Sequence, residues 1–148
     1  MRIEPRRRQD VATAAAVYEL VLTTDLAHVA GAVESLIACC QRHHPISQQC
    51  RFRLCTVAAE AITNAMSYGN NHEPSRQVVV ELQLHVDHIQ LRVTDEGHGF
   101  DPAAIVELGE PECHEATGGR GLFIIRQLAD AVAFNDRGNT IWVTLRRH

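Results

Sequence analysis

Two runs of alternating apolar and polar residues, RQVVVELQLHV and HIQLRVTD, are joined through the dipeptide DH at residues 87–88. Alternation with a period of two places successive side chains on opposite faces of an extended chain, which is typical of a half-buried β-strand. Because the connection is so short, the two strands must pair antiparallel. The sequence therefore predicts an antiparallel hairpin in the middle of the chain.

Helical periodicity flanks this hairpin on both sides. Apolar residues recur at helical spacing over residues 26–40, directly after Asp25, which is a favourable N-cap residue. Ser47 can cap a second helix that continues to about Tyr68. A third helix opens on the glycines of GGRGLFIIRQLAD, at residues 118–130. The pattern thus predicts about three helices.

Strand-like segments near the two ends complete the pattern. AVYELVLTT precedes the first helix, and AVAFND and TIWVTLRR form a second hairpin around an RGN turn. The order β-α-α-β-β-α-β-β predicts an α+β two-layer sandwich, with a mainly antiparallel mixed sheet and the helices on one face. A chain of 148 residues suits one domain, which we assign to residues 16–148. For residues 1–15, which include RRR at 6–8, we expect a solvated, partly disordered arm.

The charge pattern excludes several classes of function. A net charge of −4 gives no electrostatic argument for nucleic-acid binding. All 14 basic residues are Arg, because the sequence contains no Lys. A P-loop lysine, a Schiff-base lysine and the strand lysine of an ordinary protein kinase are therefore absent.

The cysteines indicate an interior rather than a metal site or a disulfide framework. Cys39, Cys40, Cys50, Cys55 and Cys113 are odd in number and form no C-x-x-C pair. We expect reduced core thiols, and no metal role for the nine histidines. No apolar run approaches the roughly 20 residues of a membrane span, so we expect a cytoplasmic protein without a membrane segment.

One polar pair lies within an otherwise apolar helix, in EAITNAMSYGN. Glu60 and Asn64 are four residues apart, so both side chains project from the same helix face. An ordinary surface pair explains this spacing equally well. In a buried setting, however, the amide oxygen can serve as one ligand of Mg²⁺ and the carboxylate can accept a proton from an attacking hydroxyl.

Two glycine-rich segments accompany this pair. In DEGHGF, Asp95 can accept a hydrogen bond from the exocyclic amine of adenine, while Gly97 and Gly99 keep the pocket walls clear. The alternatives are a connecting turn and a calcium loop. The calcium loop is disfavoured because the segment lacks the Glu that such a loop has at its twelfth position. GGRGL opens an apolar helix, where free N–H groups, the helix dipole and Arg120 attract phosphate. A plain glycine-rich turn is the alternative for this segment.

The order and spacing of these three motifs resemble the N, G1 and G2 boxes of the Bergerat-type (GHKL) ATPases. This superfamily includes gyrase, heat-shock chaperones, histidine kinases and mismatch-repair proteins. The short chain without a phosphoaccepting His domain is most similar to the anti-sigma-factor serine/threonine kinases of the RsbW and SpoIIAB kind. The resemblance covers residues 16–146 and implies the histidine-kinase-like ATPase fold.

The resemblance implies a role for each motif residue. It implies Glu60 as general base and Asn64 as the Mg²⁺ ligand, with Asp95 binding the adenine of ATP. The remaining nucleotide-binding residues that it implies are Gly97, Gly99, Gly119, Arg120, Gly121, Leu122 and Thr140. It further implies that residues 101–118, where the periodicity is weak, form a lid over ATP.

The resemblance also implies partners. They are a STAS-type antagonist protein, which the kinase phosphorylates, and a sigma factor, which a kinase homodimer sequesters in transcription regulation. Two departures stand out: Tyr68 replaces a frequent His, and Ser67 replaces the phosphate-binding Lys of many histidine kinases. Two alternatives stay open, namely a non-catalytic ATP/ADP-binding switch module and a structural domain without a ligand.

Overall fold

In the computed structural model, which describes residues 2–6, 16–43, 45–98 and 119–147, a six-stranded sheet carries three α-helices. The strands are β1 (Arg2–Arg6), β2 (Ala16–Thr23), β3 (Gln77–Leu84), β4 (His88–Thr94), β5 (Ala131–Phe134) and β6 (Thr140–Arg146). The helices are α1 (Val29–His43), α2 (Gln48–Asn64) and α3 (Gly119–Leu128). A 3-10 turn (Leu26–His28) precedes α1, and a π-helical turn (Ala65–Gly69) extends α2. The predicted α+β class is confirmed.

The sheet is antiparallel at every described pairing, in the order β1-β2-β3-β4-β6-β5. The sequence predicted a mainly antiparallel but mixed sheet, and the described strands contain no parallel pair. The central hairpin is confirmed, with Leu82 of β3 opposite Leu91 of β4, which in turn lies opposite Val143 of β6.

One face of the sheet and the inner sides of the helices form a single core. Alternate residues of each central strand, such as Leu20, Leu82 and Leu91, are fully buried there. From the helices, Leu36 of α1 and Ile62 of α2 pack into the same cluster. Apolar burial of this kind is the main favourable term in folding, at roughly 1.5–3 kcal/mol for each large side chain.

The helix starts follow the predicted capping residues. The Ser47 hydroxyl accepts the Cys50 N–H at 3.0 Å, which caps α2 as expected. The Asp25 carboxylate accepts the Ala27 N–H at 3.0 Å and so caps the 3-10 turn that leads into α1. The π-helical turn ends at Gly69, close to the predicted end of the second helix.

The N-terminal segment differs from the expected arm. Arg2–Arg6 form strand β1, which pairs along β2 from Arg2 opposite Val21 to Arg6 opposite Val17. Pro5 is compatible with this position because an edge strand leaves one side of its backbone unpaired. Residues 7–15 lie outside the described residues.

Four cysteines lie in the described residues, and all four are free thiols. Cys39, Cys40 and Cys50 are buried and Cys55 is half-buried, which confirms the prediction of reduced core thiols for them. Cys113 falls outside the described residues. None of the described helices combines the length and apolar character needed to cross a membrane.

Candidate functional site

The first and third motifs meet where α2 passes the first turn of α3. Glu60 and Asn64 lie on successive turns of α2 and are half-buried. A Cβ atom placed on Gly121 would lie 2.6 Å from Asn64 Nδ2 and 2.9 Å from Glu60 Oε2. Only a residue without a side chain allows this approach, so both polar groups lie directly against the start of α3.

A cavity of about 500 Å³ opens beside this contact. Its lining from α2 and the π-helical turn comprises Glu60, Thr63, Asn64, Ser67 and Tyr68, and its lining from α3 comprises Arg120, Gly121 and Ile124. Carboxylate, amide, hydroxyl and guanidinium groups thus surround one space. The two residues that depart from the family pattern, Ser67 and Tyr68, are both at this space.

The amide of Asn64 has unused hydrogen-bonding capacity. Its Nδ2 atom is buried and has no hydrogen-bond partner among the described residues. A buried polar atom without a partner is costly, and such groups are often found where a ligand binds. A half-turn of the amide exchanges its N and O atoms, so the oxygen can take this place. An amide oxygen beside a carboxylate suits Mg²⁺, and these residues therefore fit the ion.

The second motif lies at the other end of the π-helical turn. A Cβ atom on Gly69 would overlap the Asp95 carboxylate, and one on Gly97 would overlap the Gly69 carbonyl. The Gly97 N–H donates to Asp95 Oδ1 at 2.8 Å. The three residues are therefore in van der Waals contact, with the carboxylate held between two glycines.

Burial shifts the pKa of this carboxyl. Desolvation raises the pKa of Asp95 above its ordinary value. The Gly97 N–H opposes this rise, as do the positive charges of Arg137 and Arg76. A partly buried acid at the edge of a site is a common feature of ligand-binding positions.

The turn between β5 and β6 fixes the backbone of Asp95. Its N–H donates to Asn139 O at 2.9 Å, and Asn139 Nδ2 donates to its carbonyl at 3.1 Å. Thr140, buried on β6, shares a 3.0 Å hydroxyl contact with Thr94, the residue before Asp95. Thr140 is thus connected to the predicted adenine contact through Thr94.

The structure places the remaining predicted nucleotide-binding residues in different environments. The side chain of Leu122 is buried in the hydrophobic core, so only its backbone can face phosphate. Arg120 is exposed at the cavity, and Gly119 is the first residue of α3. Gly99 and the predicted lid, residues 101–118, lie outside the described residues.

Sequence reasoning missed three residues around Asp95. Gly69 was predicted only to end a helix, yet it touches the carboxylate. Asn139 was not singled out, because its partner is 44 residues away in the chain. Asn70 is fully buried and bonds to the loop after β4, although its neighbours in the sequence are exposed or half-buried. The YGN segment alone carries no signal that could reveal these contacts.

A family model for the histidine kinase-like ATPase domain matches residues 22–145. The chain belongs to this family. The match includes all three motifs and the strands and helices that position them. Membership in this ATPase family implies that the domain binds ATP.

The chain is also similar to individual named proteins. This chain is 35% identical over 85 residues to "Serine-protein kinase RsbW" of Oceanobacillus iheyensis, and the match covers 53% of this chain and 54% of that protein. It is 32% identical over 93 residues to the protein of that name from Listeria innocua, covering 58% and 59%. An "Anti-sigma F factor" of O. iheyensis is 29% identical over 96 residues, covering 60% and 64%. The chain thus spans less than two thirds of the curated relatives that it matches.

Proposed function

We propose that this domain is an ATP-dependent serine/threonine protein kinase and anti-sigma regulatory factor that phosphorylates a STAS-type antagonist protein. The observation that carries the proposal is the contact of Glu60 and Asn64 with the first turn of α3. It joins a carboxylate, an amide and a helix N-terminus around one cavity, and Asp95 lies at the far end of the π-helical turn that follows Asn64. The names of the related proteins support the reaction class.

The reaction transfers the γ-phosphoryl group of ATP to a hydroxyl of the partner. A bond forms between the hydroxyl oxygen and phosphorus while the bond to the bridging oxygen of ADP breaks. Glu60 accepts the hydroxyl proton, which typically accelerates such a step about 10²- to 10⁴-fold. Phosphoryl transfer otherwise depends on positioning and charge stabilisation.

The remaining groups hold the nucleotide. Asp95 accepts the amine of adenine, and Gly97 leaves room for the base. Gly119, Arg120 and Gly121 form the first turn of α3, where the backbone N–H groups and the positive end of the helix dipole bind phosphate oxygens. The Asn64 amide oxygen would hold Mg²⁺, which when bound neutralises phosphate charge.

The partners in this proposal come from the resemblance to the anti-sigma-factor kinases, and the name "Anti-sigma F factor" of one relative supports the sigma factor among them. A sigma factor bound by a kinase homodimer, and a STAS-type antagonist as phosphoryl acceptor, would place this domain in cytoplasmic transcription regulation. Strand β1 is at one edge of the described sheet, a position where strand pairing between copies can occur.

Transfer of label from γ-labelled ATP tests the reaction. The purified protein is incubated with Mg²⁺, the labelled ATP and a STAS-type protein of the same organism, and label on the STAS-type protein is measured. We expect Glu60→Gln to bind ATP with unchanged affinity and to transfer no label. Equal transfer by this variant would remove Glu60 from the mechanism.

Two other outcomes separate the alternatives. Binding of ATP and ADP without any transfer by the wild-type protein would favour a non-catalytic switch. A melting temperature unchanged by millimolar Mg-ATP would favour a domain without this ligand, because a ligand that binds the folded state must stabilise it.

A further inference from the structure

The side chain of Asn70 joins several segments beside the predicted adenine contact. Asn70 is fully buried, and its Nδ2 atom donates to Thr24 Oγ1 at 2.9 Å and to Gln77 O at 3.0 Å. Its Oδ1 atom accepts the Glu96 N–H at 2.8 Å. One amide thus connects the end of α2 to the end of β2, the start of β3 and the loop after β4.

Only an amide can make this set of bonds. Two N–H donors and a carbonyl acceptor are needed on one short planar group, which Asn provides. The network extends further, because the Thr24 hydroxyl donates to Arg76 O at 2.7 Å. A fully satisfied buried polar network of this kind makes one local arrangement strongly preferred.

Contacts of Asn70 and of its neighbour Gly69 lie on both sides of Asp95. Gly69, the residue before Asn70, packs against the Asp95 carboxylate. Glu96, the residue after Asp95, donates its N–H to Asn70. The Asn70 side chain therefore holds the π-helical turn and the Asp95 loop at a fixed distance, although it does not line the cavity beside Glu60 and Asn64.

We propose that Asn70 is a positioning residue for base recognition, which holds Asp95 where it can accept the exocyclic amine of adenine. This inference rests on the proposed function, in which Asp95 reads that amine. Guanine carries an acceptor oxygen at the equivalent position, so Asp95 cannot form the same bond with it. The preference for ATP over GTP therefore reports on the position of Asp95 more directly than affinity alone.

The test compares the dissociation constants of ATP and GTP by calorimetry. For Asn70→Ala we expect ATP affinity to fall roughly 10-fold while GTP affinity changes less than about twofold, since one charge-assisted hydrogen bond is worth about this much. A loss of folded protein would lower both affinities alike. A variant that keeps the wild-type preference would overturn the inference.

Glu96→Ala is the matched control. The Glu96 carboxylate accepts the Gln77 N–H at 2.7 Å, an exposed contact in the same loop. This variant removes that contact and leaves the backbone N–H of residue 96 free to donate to Asn70. We expect its ATP preference to stay at the wild-type value; a loss as large as that of Asn70→Ala would contradict the role of Asn70.

A second comparison uses Asp95→Asn as background. Because Asn70 is proposed to act through Asp95, the two changes should not add, and Asn70→Ala should alter ATP affinity less than about twofold in that background. Additive losses would show that Asn70 acts by another route. If wild-type protein does not prefer ATP, or Asp95→Asn keeps the preference, the adenine role of Asp95 fails and the inference fails with it.

Hydrogen exchange keeps the inference testable if Asn70→Ala does not fold. In wild-type protein without nucleotide, the Glu96 amide should exchange at least about 100-fold more slowly than an unstructured amide, because its hydrogen bond to Asn70 is preformed. Thr24→Val, which removes one partner of Asn70, should reduce this protection. A Glu96 amide that is unprotected until ATP binds would refute preorganisation by Asn70.

Discussion

Gly121 lies so close to Asn64 that any side chain at residue 121 would collide with the Asn64 amide. This contact joins the first turn of α3 to the polar face of α2. It means that the groups predicted to bind phosphate and the groups predicted to bind Mg²⁺ and activate a hydroxyl share one wall of the cavity. A displacement of the end of α2 or of the start of α3 therefore changes both sets of groups.

Gly121→Ala should therefore impair nucleotide binding. The added methyl would lie 2.6 Å from Asn64 Nδ2 and 2.9 Å from Glu60 Oε2, so α3 or these side chains must move. We expect Mg-ATP affinity to fall about 10-fold, equivalent to about 1.4 kcal/mol. Titration calorimetry measures the change.

Gly31→Ala provides the control for this glycine substitution. Gly31 lies in α1, and a Cβ atom there has no neighbour within 4 Å among the described residues. We expect unchanged Mg-ATP affinity and a free energy of unfolding higher by up to about 1 kcal/mol, because Ala has the better helix propensity. Equal nucleotide affinities for the two variants would show that the Gly121 contact is unimportant for binding.

Asp95→Asn should weaken ATP binding while the domain stays folded. The amide can still accept the Gly97 N–H, but it presents no full charge to the adenine amine. We expect ATP affinity to fall roughly 10- to 100-fold, the range for a hydrogen bond to a charged group. Circular dichroism should show an unchanged fold. Unaltered affinity would make this segment a connecting turn.

The same variant should show a characteristic pH dependence. Because burial raises the pKa of Asp95 above its ordinary value of 3.8, ionisation of this carboxyl destabilises the folded state. This cost is absent below about pH 3.8 and complete above the raised pKa. Asp95→Asn should therefore have a higher free energy of unfolding than wild type at neutral pH, and the difference should vanish on acidification. Urea denaturation at several pH values measures it.

Much of the fold follows from local patterns. The alternation in residues 76–95 predicts β3 and β4, and the hydroxyl of Ser47 caps α2 as expected. Strand β1 does not follow, because Arg2–Arg6 is short and contains Pro5, and its pairing depends on the backbone of β2. Edge pairing is a tertiary property, and local propensity cannot report it.

The candidate site likewise contains residues that could be predicted from the sequence and residues that could not. Glu60, Asn64 and Asp95 belong to motifs whose residue types and order can be read directly. Gly69 and Asn70 acquire their roles only from neighbours brought by β2, β3 and the loop after β4. A buried amide is recognisable only after its partners are assembled, so the sequence predicts candidate binding groups but not the contacts that hold them in place.

Arg53 should stabilise the domain without affecting nucleotide binding. Its guanidinium donates to Asp130 Oδ2 at 3.2 Å and to the backbone carbonyl of Arg146 at 2.5 Å, which ties α2 to β6. We expect Arg53→Met to lower the free energy of unfolding by about 1–2 kcal/mol, since the pair is partly solvated. ATP affinity should stay at the wild-type value.

Arg51→Met is the matched control, because Arg51 is an exposed arginine on the same helix. We expect a change in the free energy of unfolding within about 0.5 kcal/mol of zero, the usual range for such surface positions. Urea denaturation of both variants measures the difference. A destabilisation as large as that of Arg53→Met would show that loss of charge, rather than the specific contacts of Arg53, is responsible.

Cys40 should be unreactive until the domain unfolds. Burial raises the pKa of the Cys40 thiol to about 12, so almost no thiolate is present near pH 8. Because the thiolate is the reactive form, we expect alkylation of Cys40 to be at least about 100-fold slower in the folded protein than in urea.

Cys55 serves as the internal reference, because its side chain is only half-buried. Mass spectrometry after timed exposure to a maleimide assigns the label to each cysteine. Cys55 should be modified before Cys40 in the folded protein, and the two should react at similar rates in urea. Rapid labelling of Cys40 at low reagent concentration, without loss of the folded circular dichroism signal, would show that α1 and α2 separate more readily than their shared core implies.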